Sequence, residues 1–452
     1  MPRHAGLAMI FLKRTLLLSI AGLLLLAGLP QGARAQGLNS IDRESRLDAV
    51  RTLRDLLKKR YYDPKFHGVD LDAQYAAAVA KIRQATTLGQ ANAYVAAFLG
   101  SLHDSHTYYV PGGQSIQVDY GYQAQIIGDD CYITQVEPGS GAVEKLQPGD
   151  AVAGIDGFRV TRSNYFQLSY FLRELSLQSQ TTFEVKDPDG KIRSNVVVQT
   201  KMVPRRITDD QGGVALEAEI QDQFRRIEGQ EQSLKIQYQS FPDAFVAKMP
   251  TFLIDTGTVD DMMGKARNKR AVVIDLRGNG GGSVNALERL VSYFFDHDVT
   301  IDNPISRDNK VKPLVAKTRG RETFTGKVVV LVDSQSASAS ELFARVIQLE
   351  HRGVVVGDRN SGYVMQAQFF PLPSEVNFLY GASITQADLI MKDGKSLEGM
   401  GVTPDYLVLP TGEDLAKQRD PAMSKALALV GMNMDPTAAA KLFTFYWEKP
   451  IS

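Results

Sequence analysis

From residue 244 onward the chain repeats one pattern: an apolar run of strand length, a turn, then a helical stretch. Arg270-Ala-Val-Val-Ile-Asp-Leu276 leads into the turn Arg277-Gly-Asn-Gly-Gly-Gly282 and then into helical spacing from Val284 to Phe295. The run Val328 to Val332 leads into Ser336-Ala-Ser-Ala-Ser340 and a helix carrying Leu342, Phe343, Val346 and Ile347. Gly353-Val-Val-Val-Gly357 supplies a third strand. Strands apolar throughout are buried on both faces, and their alternation with helices predicts an α/β core with a mostly parallel sheet over residues 244–410. Reacting groups in such sheets gather at the carboxyl ends of strands, where both the glycine turn and the serine turn lie.

The segments before the core read differently. Residues 1–35 carry Lys13 and Arg14, an apolar run from Leu16 to Leu29 and Ala33-Arg-Ala35, the layout of a signal peptide cleaved before Gln36. The expectation is an exported, periplasmic or otherwise extracytoplasmic protein. Its later stretches are too polar to span a membrane. Residues 36–112 show helical periodicity and form a helical N-terminal region ending in Ser101-Leu-His-Asp-Ser-His-Thr-Tyr-Tyr109. Residues 115–204 are short β-type runs between turns, with a helix expected from Leu168 to Leu177. Within them, Gln147-Pro-Gly-Asp150 followed by Ile155-Asp-Gly157 resembles a PDZ domain. That resemblance implies a peptide end adding as a strand beside Tyr120, Gly121 and Tyr122. A PDZ-shaped spacer without a ligand is the alternative. Residues 205–243 read as a connector, and 411–452 as one helix near Asp414–Val430 with an aromatic tail around Trp447.

Charge excludes some functions. The whole chain has 51 basic and 51 acidic residues. Residues 1–35 hold four bases and no acid, which leaves 47 against 51, or −4, for the rest. Nothing here favours a nucleic-acid partner or an anionic membrane. A single cysteine, Cys131, allows neither an intrachain disulfide nor a cysteine zinc site, and no metal or cofactor motif stands out.

Ser338 has two readings. A hydroxyl on a tight strand-to-helix turn is well placed for a nucleophile, because the helix N-terminus offers unpaired N–H groups to a developing oxyanion. Ser338-x-x-Glu341 is equally a capping box. As a nucleophile Ser338 needs a base. His106, flanked by Asp104, Ser105 and Thr107, is the histidine that stands out. The N–H groups of Gly281 and Ala339 are the expected oxyanion donors, although the glycines could simply permit a sharp turn.

Asp104-Ser-His-Thr107, the turns of 147–157, Val273-Ile-Asp-Leu-Arg-Gly-Asn-Gly-Gly-Gly282, Ser336-Ala-Ser-Ala-Ser-Glu341 and Glu398-Gly-Met-Gly-Val-Thr-Pro-Asp405 together resemble the carboxyl-terminal processing, or tail-specific, serine proteases. The resemblance implies a crotonase-like β/α core, an inserted PDZ domain, protein or peptide substrates presented by their C-terminal tails, and Ser338 as nucleophile. That family's base is a lysine 25 residues after the nucleophile, and Tyr363 occupies the position here. A phenol with an ordinary pKa near 10 is a poor base at neutral pH. The tricorn protease core is similar and uses a serine–histidine pair and a glutamate, which implies a tetrad of Ser338, His106, Ser105 and Glu398. Tyr363, Lys392 and Lys395 are the alternative bases. A catalytically inactive PDZ-containing binding protein, and a different hydrolase on the same fold, are the rival readings. The oligomeric state is not legible in the sequence.

Overall fold

The computed structural model describes residues 37–111, 116–204, 234–373 and 380–443. The expected signal peptide, most of the 205–243 connector and the Trp447 tail lie outside the described residues.

Three helices open the chain: α1 (Ser40–Arg60), α2 (Leu71–Gln84) and α3 (Leu88–Gly100). Each begins at a polar residue whose side chain accepts a first-turn N–H: Asn39, Asp70 and Thr87. Their buried faces, including Val50, Leu53, Leu57, Ile82, Val95 and Leu99, form one core with Tyr109, Ala382 and Ile384. The region 36–112 is therefore not purely helical. It ends in a strand, β1 (Tyr108–Val110), antiparallel to a later strand through Tyr109 and Ala382. A three-residue apolar stretch carries too little periodicity to announce itself in sequence.

The next unit is a β-sheet of β2 (Tyr122–Ile127), β3 (Asp130–Val136), β4 (Ala151–Ile155), β5 (Gln180–Lys186) and β6 (Ile192–Gln199), in that order, with Phe158–Arg159 pairing on β4. Its core contains Ile133, Leu168, Phe183 and Val198. The expected helix from Leu168 to Leu177 instead starts earlier, as α4 (Tyr165–Tyr170), and continues as a wider π turn from Phe171 to Leu175. Ile116–Asp119 and Lys201–Pro204 pair antiparallel, so the unit leaves and rejoins the chain through one two-stranded neck.

The core sheet runs β7 (Gln237–Ser240), β8 (Ala244–Lys248), β9 (Ala271–Asp275), β12 (Lys327–Val332), β13 (Val354–Gly357) and β16 (Tyr406–Leu407). Only the β7–β8 pair is antiparallel. Every residue of β9 is buried, as expected of a central parallel strand. One face packs on α5 (Thr256–Ala266), α6 (Val284–Ser292) and α7 (Ala339–Leu349). The other packs on α8 (Pro421–Leu429) through Met423, Ala426 and Leu427. The single helix expected near Asp414–Val430 is two pieces, a short turn at Gly412–Ala416 and then α8, because Pro421 can start a helix but not continue one.

The sequence pattern also hid a second sheet. The strands β10 (Val299–Ser306), β11 (Leu314–Ala316), β14 (Met365–Pro371) and β15 (Gly381–Ile390) are antiparallel and take in β1. This sheet brings the 104–107 loop, fixed at one end to β1, toward the serine turn.

Candidate active site

Five serine-turn residues show why Ser338 differs from its neighbours. Ser336 and Ser340 are fully buried, donating to Leu276 O at 2.8 Å and to Asn279 O at 2.9 Å. They tie the serine turn to the glycine turn. Ala337 N–H adds a third tie, to Asn279 O at 3.0 Å. Ser338 lies between them, partly exposed, with φ +54° and ψ −118°. An N-cap residue ordinarily sits in the extended region, so this backbone is not that of a plain cap. A non-glycine residue held at positive φ on a strand-to-helix turn is the arrangement of a nucleophile elbow.

Two glutamates hold the segment after it. Glu341, fully buried, accepts the N–H groups of Ser338 at 3.2 Å, Gly362 at 3.0 Å and Tyr363 at 3.0 Å. The reciprocal half of the expected capping box is thus present, and Glu341 also binds a distant loop. Burial pushes its carboxyl up to about 8, against the lowering effect of those three donors. Sequence spacing alone offered Glu341 only a capping role. Glu398 accepts Ser105 N–H at 2.8 Å, Ser105 Oγ–H at 2.9 Å and Val364 N–H at 3.0 Å. Burial pushes it up to about 7.

His106 completes the line. Its Nδ1 lies 2.8 Å from Ser105 Oγ. With Glu398 ionised, the one hydroxyl proton of Ser105 goes to Glu398, so Ser105 Oγ accepts from His106 Nδ1–H. This network assigns the tautomer and leaves the Nε2 lone pair unprotonated. Burial lowers the imidazole pKa, with the Asp104 charge opposing, so the ring is neutral at neutral pH. The loop is fixed by Asp104, whose carboxylate accepts His106 N–H at 2.8 Å, Thr107 N–H at 3.1 Å and Thr385 Oγ1–H at 2.8 Å.

The link from His106 to Ser338 is continuous: Ser105, Glu398, the Val364 peptide, then the Tyr363 carbonyl, which accepts Ser338 N–H at 2.9 Å. The structure therefore brings Ser105, His106, Glu398, Tyr363 and Ser338 into one neighbourhood. Of the other described histidines, His67 bonds Tyr62 and Leu102, and His297 bonds Asp296. Burial, reinforced by the Glu398 and Glu341 charges, raises the Tyr363 phenol pKa further, which removes it as a base at neutral pH. Lys392 is tied to Glu350 at 2.8 Å and Lys395 is exposed, and among the described residues no hydrogen bond links either side chain to the serine turn.

The oxyanion donors differ. A Cβ on Gly281 would lie 2.8 Å from Ser338 Cβ and 3.2 Å from Ala339 N, so all three adjoin. Ala339 N–H opens α7 and has no hydrogen-bond partner among the described residues. Gly281 N–H, expected to face substrate, instead donates to Asn279 Oδ1 at 2.9 Å. Asp333, unflagged by the sequence, joins the two turns by accepting N–H from Gly278, Gln335 and Ser336, each at 3.0 Å.

The positions expected to take a peptide end are committed internally. Gly121 N–H donates to Asp119 at 3.1 Å, and Gly121 O accepts from Glu137 and Ser140. Tyr122 is buried against Phe183, and Arg173 lies over the rings of Tyr120 and Tyr122. Along the open edge of β2, Ala124 O accepts from Tyr165 Oη at 2.6 Å and Ile126 O from Ser334 Oγ. Among the described residues no cluster of three or more His, Cys, Asp or Glu side chains could hold a metal, and no helix is long and apolar enough to cross a membrane.

Residues 237–408 match the family model for peptidase family S41. The chain carries an S41 peptidase domain. It is 25% identical over 360 residues to the tail-specific protease of Haemophilus influenzae, covering 73% of this chain and 46% of that protein. It is 29% identical over 140 residues to the carboxy-terminal-processing protease of Bartonella bacilliformis, covering 31% of each. The chain thus spans less than half the length of either relative. Mature CPAF, a solved structure, shares the S41 fold at a TM-score of 0.63 and 16% identity, over 83% of this chain and 95% of that one.

Proposed function

We propose that the protein is an exported serine endopeptidase of the carboxyl-terminal processing type, in which Ser338 attacks the carbonyl carbon of a peptide bond. His106 Nε2 takes the hydroxyl proton as the bond forms and returns it to the leaving amine. Ser105 and Glu398 fix the imidazole tautomer and stabilise the imidazolium that forms. Ala339 N–H meets the oxyanion, and Gly281 N–H joins it on release from Asn279. The inserted β unit is read as PDZ-type. Its committed edge argues that a substrate tail adding there must displace Tyr165 and Ser334.

The observation that carries this reading is the unbroken hydrogen-bonded line from His106 through Ser105 and Glu398 to the peptide that holds Ser338. A neutral histidine held by this line can stand in for the missing lysine, and that weighs against an inactive scaffold. The test uses purified protein and an unstructured protein substrate, beside Ser338→Ala. Cleavage present in the wild type and lost in the variant is the expected result. Retention of peptide without cleavage by either would favour the binding reading.

A further inference from the structure

The position that would carry a lysine base holds a tyrosine, and its ring points at the inserted unit. Tyr363 and Phe166 are edge-on, with centroids 4.8 Å apart and planes at 68°. Phe166 is the second residue of α4 and is 48% exposed, high for an aromatic side chain in contact with another. Its neighbours are spoken for: Tyr165 bonds Ala124 O, and Leu168 is in the unit's core. Phe166 is therefore held at the surface of its own unit, over the catalytic segment.

The pair is rigidly placed against the nucleophile. The Tyr363 backbone is pinned on both sides, its carbonyl by Ser338 N–H and its N–H by Glu341. One turn before Phe166, the Arg162 guanidinium donates to Arg359 O at 2.6 Å, Asn360 O at 3.3 Å and Asp358 Oδ2 at 3.2 Å. That clamp ties the start of α4 to the segment running into Tyr363. Met400 adds a third large apolar side chain, 67% exposed. Its backbone crowds Gly362, where a Cβ would meet Met400 N at 2.9 Å. Phe166 and Tyr363 thus meet beside the nucleophile's peptide, and Met400 is carried on the backbone that adjoins Gly362. Such a surface favours an apolar ligand group, and disfavours a charged one by desolvation.

We propose that Phe166, Tyr363 and Met400 form the subsite that selects a bulky apolar side chain beside the cleaved bond, so that the lysine position has been given over to substrate recognition. The inference rests on the serine peptidase reading and narrows its substrate to extended polypeptide segments with a large apolar residue at the cleavage point. The inserted unit then contributes to the catalytic cleft directly, through α4, rather than only by holding a tail.

The test is a set of peptides identical except for Phe, Leu, Ala or Asp next to the scissile bond. Wild-type kcat/KM should favour Phe and Leu over Ala by at least about tenfold, with Asp poorest. Phe166→Ala should cut the Phe-to-Ala ratio by about tenfold, mainly through KM, and Phe166→Leu should restore much of it. Met400→Ser gives an independent second variant should Phe166→Ala fold poorly. Binding of the same peptides to Ser338→Ala protein reads the subsite without turnover. An unchanged ratio in Phe166→Ala and Met400→Ser overturns the proposal, as does a fall shared equally by all four peptides. Ser338-dependent cleavage with no apolar preference would sink this inference and leave the peptidase reading standing. Absence of cleavage together with equal binding of all four peptides would remove both.

Discussion

Replacing Glu398 by glutamine isolates what the carboxylate does for His106. Hydrogen bonds of 2.8 and 2.9 Å put His106 Nδ1 and Glu398 Oε2 within about 5.7 Å of each other. At that distance and an effective dielectric near 20, a carboxylate stabilises an imidazolium by about 3 kcal/mol. Losing it raises the barrier to proton transfer by that amount, a fall of about 100-fold in kcat. The amide also turns a donor toward Ser105 N–H or Val364 N–H, which adds a smaller penalty. The pH profile separates charge from packing. Glu398 is pushed up to about 7 by burial, so its charge, and the activity that depends on it, is present above that pH and lost as pH falls through it. The wild-type acid limb should therefore have a midpoint near 7. In Glu398→Gln the limb should move to lower pH, toward the lowered pKa of His106, on a plateau reduced about 100-fold. The assay is kcat against pH from 5 to 9 on one peptide. A fall below about threefold, or a limb that does not move, would refute the role given to Glu398.

Other consequences can be checked separately. Gly281→Ala places a methyl against Ser338 Cβ at a φ of +99°, so activity should be abolished, with a loss of about 1–3 kcal/mol in denaturant unfolding. Arg277 bridges fully buried Asp275 and the α8 cap Asp420, with four contacts of 2.8–2.9 Å. Arg277→Ala should cost about 3–5 kcal/mol, read as a drop in Tm, because buried Asp275 loses its guanidinium partner. Asp302 is 3% exposed, and burial raises its carboxyl to about 6. The folded state binds that proton more tightly than the unfolded chain, so this contribution is full below about pH 4 and lost as pH rises through about 6. Asp302→Asn should be more stable than wild type by up to about 3 kcal/mol at pH 8, with the gap closing by pH 4.

The parallel core was readable because its strands are apolar on both faces and its helices carry a one-sided stripe. Val328 to Val332 and the Leu342–Ile347 face needed no tertiary information. The antiparallel sheet was not, because β10 and β15 mix polar and apolar residues and pair across about 80 positions of sequence. At the site, Ser338 and His106 stood out by chemistry and by resemblance. Glu341, Asp333 and Asn279 did not, because their work is to accept or donate to backbone groups that only folding brings near. Phe166 was equally invisible: an aromatic on a helix of the inserted unit reads as core until its partner, Tyr363, is seen across the interface.

Activation of Ser338 by His106 is read from the rate at which a fluorophosphonate labels the protein at pH 8, with the modified residue located by mass spectrometry. One adduct is expected, on Ser338, forming at least about 100-fold more slowly in His106→Ala. An adduct on another residue, or labelling of Ser338 at an equal rate without His106, would contradict it.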